Sequence, residues 1–349
     1  MKVVLCASYL TIPSTICLLQ KYRDEEIVVL STVKSIIDFF SRYSPECKSV
    51  YLELPSHDIE SLTAYRKSPA KLLRSYLAIS HAKKKAASIL QNIRPTEIYF
   101  ELYYHANFEF WILKSLALKG IPVFFMQNIE IYCSDMDFIK SFLYKLISKF
   151  HFGFSLKPVS VAGANVFVID EKYIRQIGAK SIKMYDQKTI AEYVKRRFSK
   201  WSDKKVVLMS GGRVAGNIVS EARYKLITDQ LIEILTEKFK TDEIAIKSHP
   251  IYESYISKES FLPRIDSGVP MSILFYNSVH LLIGYASAAL YEASGMSDVR
   301  VVSTINLFRT IENEEVSKQY CKYLIGNMNK EKPILFPETM EEFAKIINC

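Results

Sequence analysis

The segment Glu243-Ile244-Ala245-Ile246-Lys247-Ser248-His249-Pro250 carries an alternating apolar run into a cation, a hydroxyl and an imidazole. Pro250 stops any helix and biases His249 toward extended backbone, which holds the imidazole at a strand's C-terminal end. There it can give a proton to a phosphate oxygen or a leaving group, and Lys247 adds positive charge. A histidine that only caps a loop has the same sequence signature. Further on, Leu281-Leu282-Ile283-Gly284-Tyr285-Ala286-Ser287-Ala288-Ala289 reads as a strand, a glycine turn and a small-residue helix start. Small side chains let a phosphate approach the free N–H groups of such a start, with Ser287 adding a hydroxyl. Tight helix–sheet packing selects the same residues. A third strand, Val206-Val207-Leu208-Met209, runs into Ser210-Gly211-Gly212-Arg213, a turn with an arginine for an anion. It is neither a P-loop nor a dinucleotide fingerprint, and a plain βα turn is its other reading.

These residues need a frame that brings strand ends together. Strands are predicted at Lys2 to Cys6, Glu26 to Ser31, Ser49 to Leu52, Glu97 to Phe100, Pro122 to Met126 and Asn165 to Ile169. Helical patterns separate them at Thr11 to Lys21, Thr32 to Phe40, Ala70 to Ile93 and Asn107 to Leu118. The alternation restarts with strands at Lys204 to Met209, Glu243 to Lys247, Val279 to Gly284 and Val299 to Ser303. Helices are expected at Glu221 to Phe239, Ala286 to Ala293 and Glu338 to Ile347. Such alternation implies α/β domains with parallel sheets covered by helices. The expected division is an N-terminal domain over 1–164, a polar helical connector over 165–204 and a C-terminal domain over 205–349. Ligands of such folds sit outside the carboxyl ends of the strands.

Length supports this division, because 349 residues exceed a usual single core. With 49% hydrophobic and 24% charged residues, the chain is neither disordered nor a disulfide scaffold. The formal net charge of +9 favours anionic partners: a nucleotide phosphate, an acidic sugar, a lipid headgroup or a nucleic acid. No nucleic-acid reader motif accompanies the charge. Six cysteines without CxxC pairing read as reduced thiols of a cytoplasmic protein. The N-terminal apolar run is too broken for a signal peptide, and no uninterrupted apolar stretch is long enough to span a bilayer.

Together the three strand ends resemble the donor half of GT-B glycosyltransferases, and more narrowly the bacterial lipooligosaccharide, capsule and polysialyltransferase-like sialyltransferases. Lys247-Ser248-His249-Pro250 looks like their Lys-x-His-Pro, and Gly284 to Ala289 like their phosphate loop. Ser267-Gly268-Val269-Pro270, followed by a helix over Met271 to Tyr276, sits where that family has a Pro-initiated helix. The opening Val3 to Tyr9 is also similar. The resemblance implies two Rossmann-like domains facing each other across a cleft. It implies inverting, metal-independent transfer of sialic acid from CMP-sialic acid to a hydroxyl of a bacterial surface glycan, such as lipopolysaccharide, O-antigen or lipooligosaccharide. His249 would act as acid or phosphate ligand. Lys247, Ser248, Pro250, Ser210, Gly211, Gly212, Arg213, Gly284, Tyr285, Ser287 and Ala288 would line the donor.

A sugar hydroxyl must lose a proton as it attacks, so a general base is also expected. The strand where the family carries acidic residues here runs into Gln127-Asn128, which leaves Glu130 as the nearest replacement and Glu101 as the next. No Asp-x-Asp pair suits a divalent cation, and no cofactor is expected. Over 139–150 the apolar residues Ile139, Phe142, Leu143, Leu146, Ile147 and Phe150 share a helical face, with Lys140, Lys145 and Lys149 off it. That pattern suits peripheral contact with an anionic membrane face, or simply packing on the sheet. Two other functions stay open: a GT-B transferase with a Kdo, nucleoside-diphosphate sugar or glycerol-phosphate donor, and a non-enzymatic anion-binding α/β protein.

Overall fold

A computed structural model describes residues 1–6, 9–53, 69–101, 120–126, 165–168, 181–184, 187–201, 203–210, 219–248, 261–275, 278–295 and 298–348. The chain divides into two compact units, Met1–Thr189 and Ile190–Cys349.

The first unit is built on a seven-stranded parallel sheet. Its strands are β1 (Lys2–Leu5), β2 (Ile27–Ser31), β3 (Lys48–Tyr51), β4 (Glu97–Glu101), β5 (Val123–Met126), β6 (Asn165–Val168) and β7 (Ser181–Met184). Their order is β3-β2-β1-β4-β5-β6-β7. Helices α1 (Ile12–Lys21), α2 (Lys34–Tyr43) and α3 (Pro69–Ile93) fall between the early strands. Strands β1 and β2 are buried along their whole length, as expected of strands covered on both faces. The buried ammonium of Lys2 is compensated by Glu25 at 2.8 Å and Glu97 at 3.1 Å. The expected connector over 165–204 is occupied at its start by β6 and β7, which extend this sheet. After them, α4 (Gln187–Arg197) supplies the polar helix read in that stretch.

The second unit holds a five-stranded parallel sheet of β8 (Val206–Met209), β9 (Ile244–Lys247), β10 (Arg264–Ile265), β11 (Leu281–Gly284) and β12 (Arg300–Ser303). Their order is β10-β9-β8-β11-β12. Helix α5 (Glu221–Lys238) starts on Ser220, whose hydroxyl accepts the Arg223 N–H, and buries Tyr224, Ile227, Leu231 and Leu235 as one stripe. Two short helices, α6 (Met271–Leu274) and α7 (Ala288–Ser294), flank β11, and α8 (Glu314–Asn327) and α9 (Met340–Asn348) close the unit. Its core joins Leu208, Ile246, Ile283 and Val302 of the sheet to Leu231, Phe308 and Phe343. Tyr224 stacks on Phe308 at 5.0 Å and Tyr285 meets the same ring edge-on at 5.2 Å. Among the described residues, no helix is long and apolar enough to cross a membrane.

Candidate functional site

Strand order decides where a ligand of the second sheet has room. The order reverses between β8 and β11, and crevices in open parallel sheets form at that switch point, beyond the carboxyl ends. Because β9 and β11 pair with β8 in parallel on either side, all three strands end at one edge. At ordinary strand spacing the ends of β9 and β11 lie about 10 Å apart across β8. Two segments far apart in sequence therefore face the same space, with Ser210 between them.

Ser210 follows β8 directly, and its N–H is fixed by the Lys247 carbonyl at 3.0 Å. Its hydroxyl is buried and has no hydrogen-bond partner among the described residues. A polar group in that state costs free energy unless a ligand or water meets it.

Lys247 ends β9 and is only 4% exposed. Its ammonium donates to the Ser248 carbonyl at 2.7 Å and to the Ser267 carbonyl at 3.0 Å. Burial pushes its pKa down to about 8, with the nearby Asp266 carboxylate opposing. Asp266 Oδ1 in turn accepts the Gly268 N–H at 2.9 Å. The sequence suggested a lysine exposed to a phosphate. The structure shows one that ties the turn after β9 to the turn after β10, with one N–H left beyond those two bonds. Ser248 is partly exposed at the same end.

At the end of β11 the glycine has a packing reason. A Cβ on Gly284 would lie 2.6 Å from Met209 Cε, the free end of a flexible side chain, so the glycine leaves room for that thioether to pack against β11. The next residue differs from its expected role: Tyr285 is 2% exposed and packs into the core against Phe308. Burial raises its phenol to about 12. Its ring therefore serves the core, and only its backbone belongs to the turn. Ser287 caps α7 by accepting the Ala289 N–H at 3.3 Å, which leaves its own O–H as a donor; Ala288 is the first helical residue.

Two residues the sequence reading passed over hold this turn. Ser303 Oγ donates to the Tyr285 carbonyl at 2.8 Å, and Thr304 Oγ1 to the Gly284 carbonyl at 3.1 Å. The signal was present: Val301-Val302-Ser303-Thr304 is another apolar strand ending in hydroxyls. The Pro270-initiated helix is there as α6, but its helical residues stop at Leu274.

His249, Pro250, Gly211, Gly212, Arg213, Glu130 and the stretch 139–150 lie outside the described residues. Among those described, no three His, Cys, Asp or Glu side chains gather as metal ligands.

No family model matches the chain, and no curated protein matches it. Solved structures do. Os79 from O. sativa in complex with UDP is 10% identical, with a TM-score of 0.53 over 100% of this chain and 90% of that one. Os79 bound to trichothecene is 11% identical, with a TM-score of 0.51 over the same shares. The likeness shows the fold: two α/β units with parallel sheets, of the GT-B kind.

Proposed function

We propose that the chain is a glycosyltransferase that takes its sugar from a nucleotide donor seated on the C-terminal edge of the second sheet. The observation that carries this reading is the buried Ser210 hydroxyl at the switch point, without a partner among the described residues and flanked by the ends of β9 and β11. A phosphate there would receive the hydroxyls of Ser210 and Ser287 and the positive field of Lys247. Lys247 also ties Ser248, which precedes His249 in the sequence, to the turn after β10.

For the donor we propose CMP-sialic acid, on the resemblance of Lys247-Ser248-His249-Pro250 and Gly284 to Ala289 to the sialyltransferase motifs. An acceptor hydroxyl of a bacterial surface glycan, deprotonated by Glu130, attacks the anomeric carbon of the sugar. The bond from that carbon to the phosphate oxygen breaks, and CMP leaves with its charge met by His249. The reading requires no metal, so transfer should survive chelator. It implies an enzyme of the cytoplasm, and the sequence pattern of residues 139–150 suits contact with a membrane face. A second reading, a nucleoside-diphosphate sugar donor, is favoured by the likeness to Os79, which was solved with UDP.

Thermal shift with CMP, CDP, UDP and GDP separates the two, because a ligand stabilises only the state that binds it. Selective stabilisation by CMP is expected, and preference for a diphosphate would replace the sialyl donor. His249→Ala should lower transfer at least a hundredfold with the melting temperature little changed. Near-normal turnover in that variant would remove the assignment of His249.

A further inference from the structure

We infer that the second unit carries a separate binding site for an anionic amphiphile at the N-terminal edge of its sheet. A cavity of about 640 Å³ lies there, within the size range of small-molecule sites. Its wall gathers Lys205, Lys238, Arg300 and Lys332 against the one carboxylate of Asp298 among the described residues, with His280 beside them. The fold fixes two of these cations in place. Lys238 Nζ donates to the Ile347 carbonyl and, at 2.8 Å, to Asn348 Oδ1, while Arg300 Nη1 donates to the Ile346 carbonyl at 3.0 Å. Both sit where the last carbonyls of α9 attract positive charge. Each still has N–H groups beyond those bonds, since an ammonium offers three and a guanidinium five. Lys205 is paired with Glu243.

The rest of the lining is apolar, with Phe239, Val299 and Leu335 among it. A bare anion would leave that surface wetted, and a neutral apolar molecule would strip water from the cations without compensation. A phosphate or carboxylate head on a hydrocarbon body matches both parts. The site is at the opposite edge of the sheet from Ser210 and Ser287, so the inference stands independently of the proposed transfer reaction.

Decyl phosphate, kept below its micelle concentration, probes the site in the full-length protein. Calorimetric titration should show it binding at least tenfold more tightly than inorganic phosphate or decanol. His280 lines the cavity and is exposed. His280→Glu should therefore weaken that binding at least tenfold, with the unliganded melting temperature and nucleotide binding unchanged; Lys332→Gln should weaken it less. Flotation with phosphatidylglycerol vesicles identifies the source. Flotation lost in His280→Glu points to a bilayer lipid, and decyl phosphate binding without flotation points to a soluble amphiphile. Decyl phosphate that binds no better than phosphate or decanol, or equally well in His280→Glu, overturns the inference.

Discussion

Lys247 illustrates how part of a residue's task lies outside its local sequence. Sequence locates it at a strand end beside His249; only the folded chain shows that β10 brings the Ser267 carbonyl to its ammonium. Long-range partners of that kind leave no local pattern, and for the same reason Tyr285 was expected at the donor rather than against Phe308. The lysine has a pH signature. Its folded pKa is depressed to about 8 from an unfolded 10.5, so the folded state holds the proton less tightly. Its contribution to stability therefore grows as pH rises from about 8 to 10.5, by roughly 3 kcal/mol. Denaturant titrations of the wild type and Lys247→Met should diverge in that direction across the window, and a constant difference would contradict the burial of a charged amine. Gly284 gives a second test at this scale. Gly284→Ala should cost up to about 1 kcal/mol, because the Met209 methyl must swing aside. In a Gly284→Ala/Met209→Ala double mutant the losses should add to less than their sum by at least ~0.5 kcal/mol.

Among the elements, the strands with unbroken apolar runs were legible to within one or two residues, because burial on both faces leaves a continuous signal. Three elements were missed. Strand β7, Ser-Ile-Lys-Met, is too short and too polar to stand out, and β10 spans two residues. In α8 the exposed Val316, Tyr323 and Ile325 blur the amphipathic stripe. The candidate site was legible as a set of strand ends but not as a sequence of neighbours, since strand order is invisible in the chain. One link between elements is directly testable. Ser303→Ala with Thr304→Val leaves the Gly284 and Tyr285 carbonyls without their hydroxyl donors, which should cost about 1–3 kcal/mol. The stabilisation by the preferred nucleotide should shrink in this variant, whereas an unchanged thermal shift would separate the β12 hydroxyls from the site.

At the scale of the whole molecule, two-unit organisation followed from length and from the restart of the strand–helix alternation. The sequence suggests a first domain over 1–164 and a connector over 165–204, and in the folded chain β6 and β7 of that stretch join the first sheet. Hydrogen exchange with bound nucleotide offers a test at this scale. Added protection should concentrate in β8, β9, β11 and the turns after them, and protection spread evenly over β1 to β7 would contradict the assigned edge. The arrangement β3-β2-β1-β4-β5 in one unit is repeated as β10-β9-β8-β11-β12 in the other. The same wiring occurs twice, so the molecule has a second reversal point, between β1 and β4, which the proposed donor site leaves unclaimed. A two-substrate reaction then needs no new architecture: each half offers one mouth. For the proposed transfer, the acceptor would be sought where the chain leaves Cys6 and Glu101.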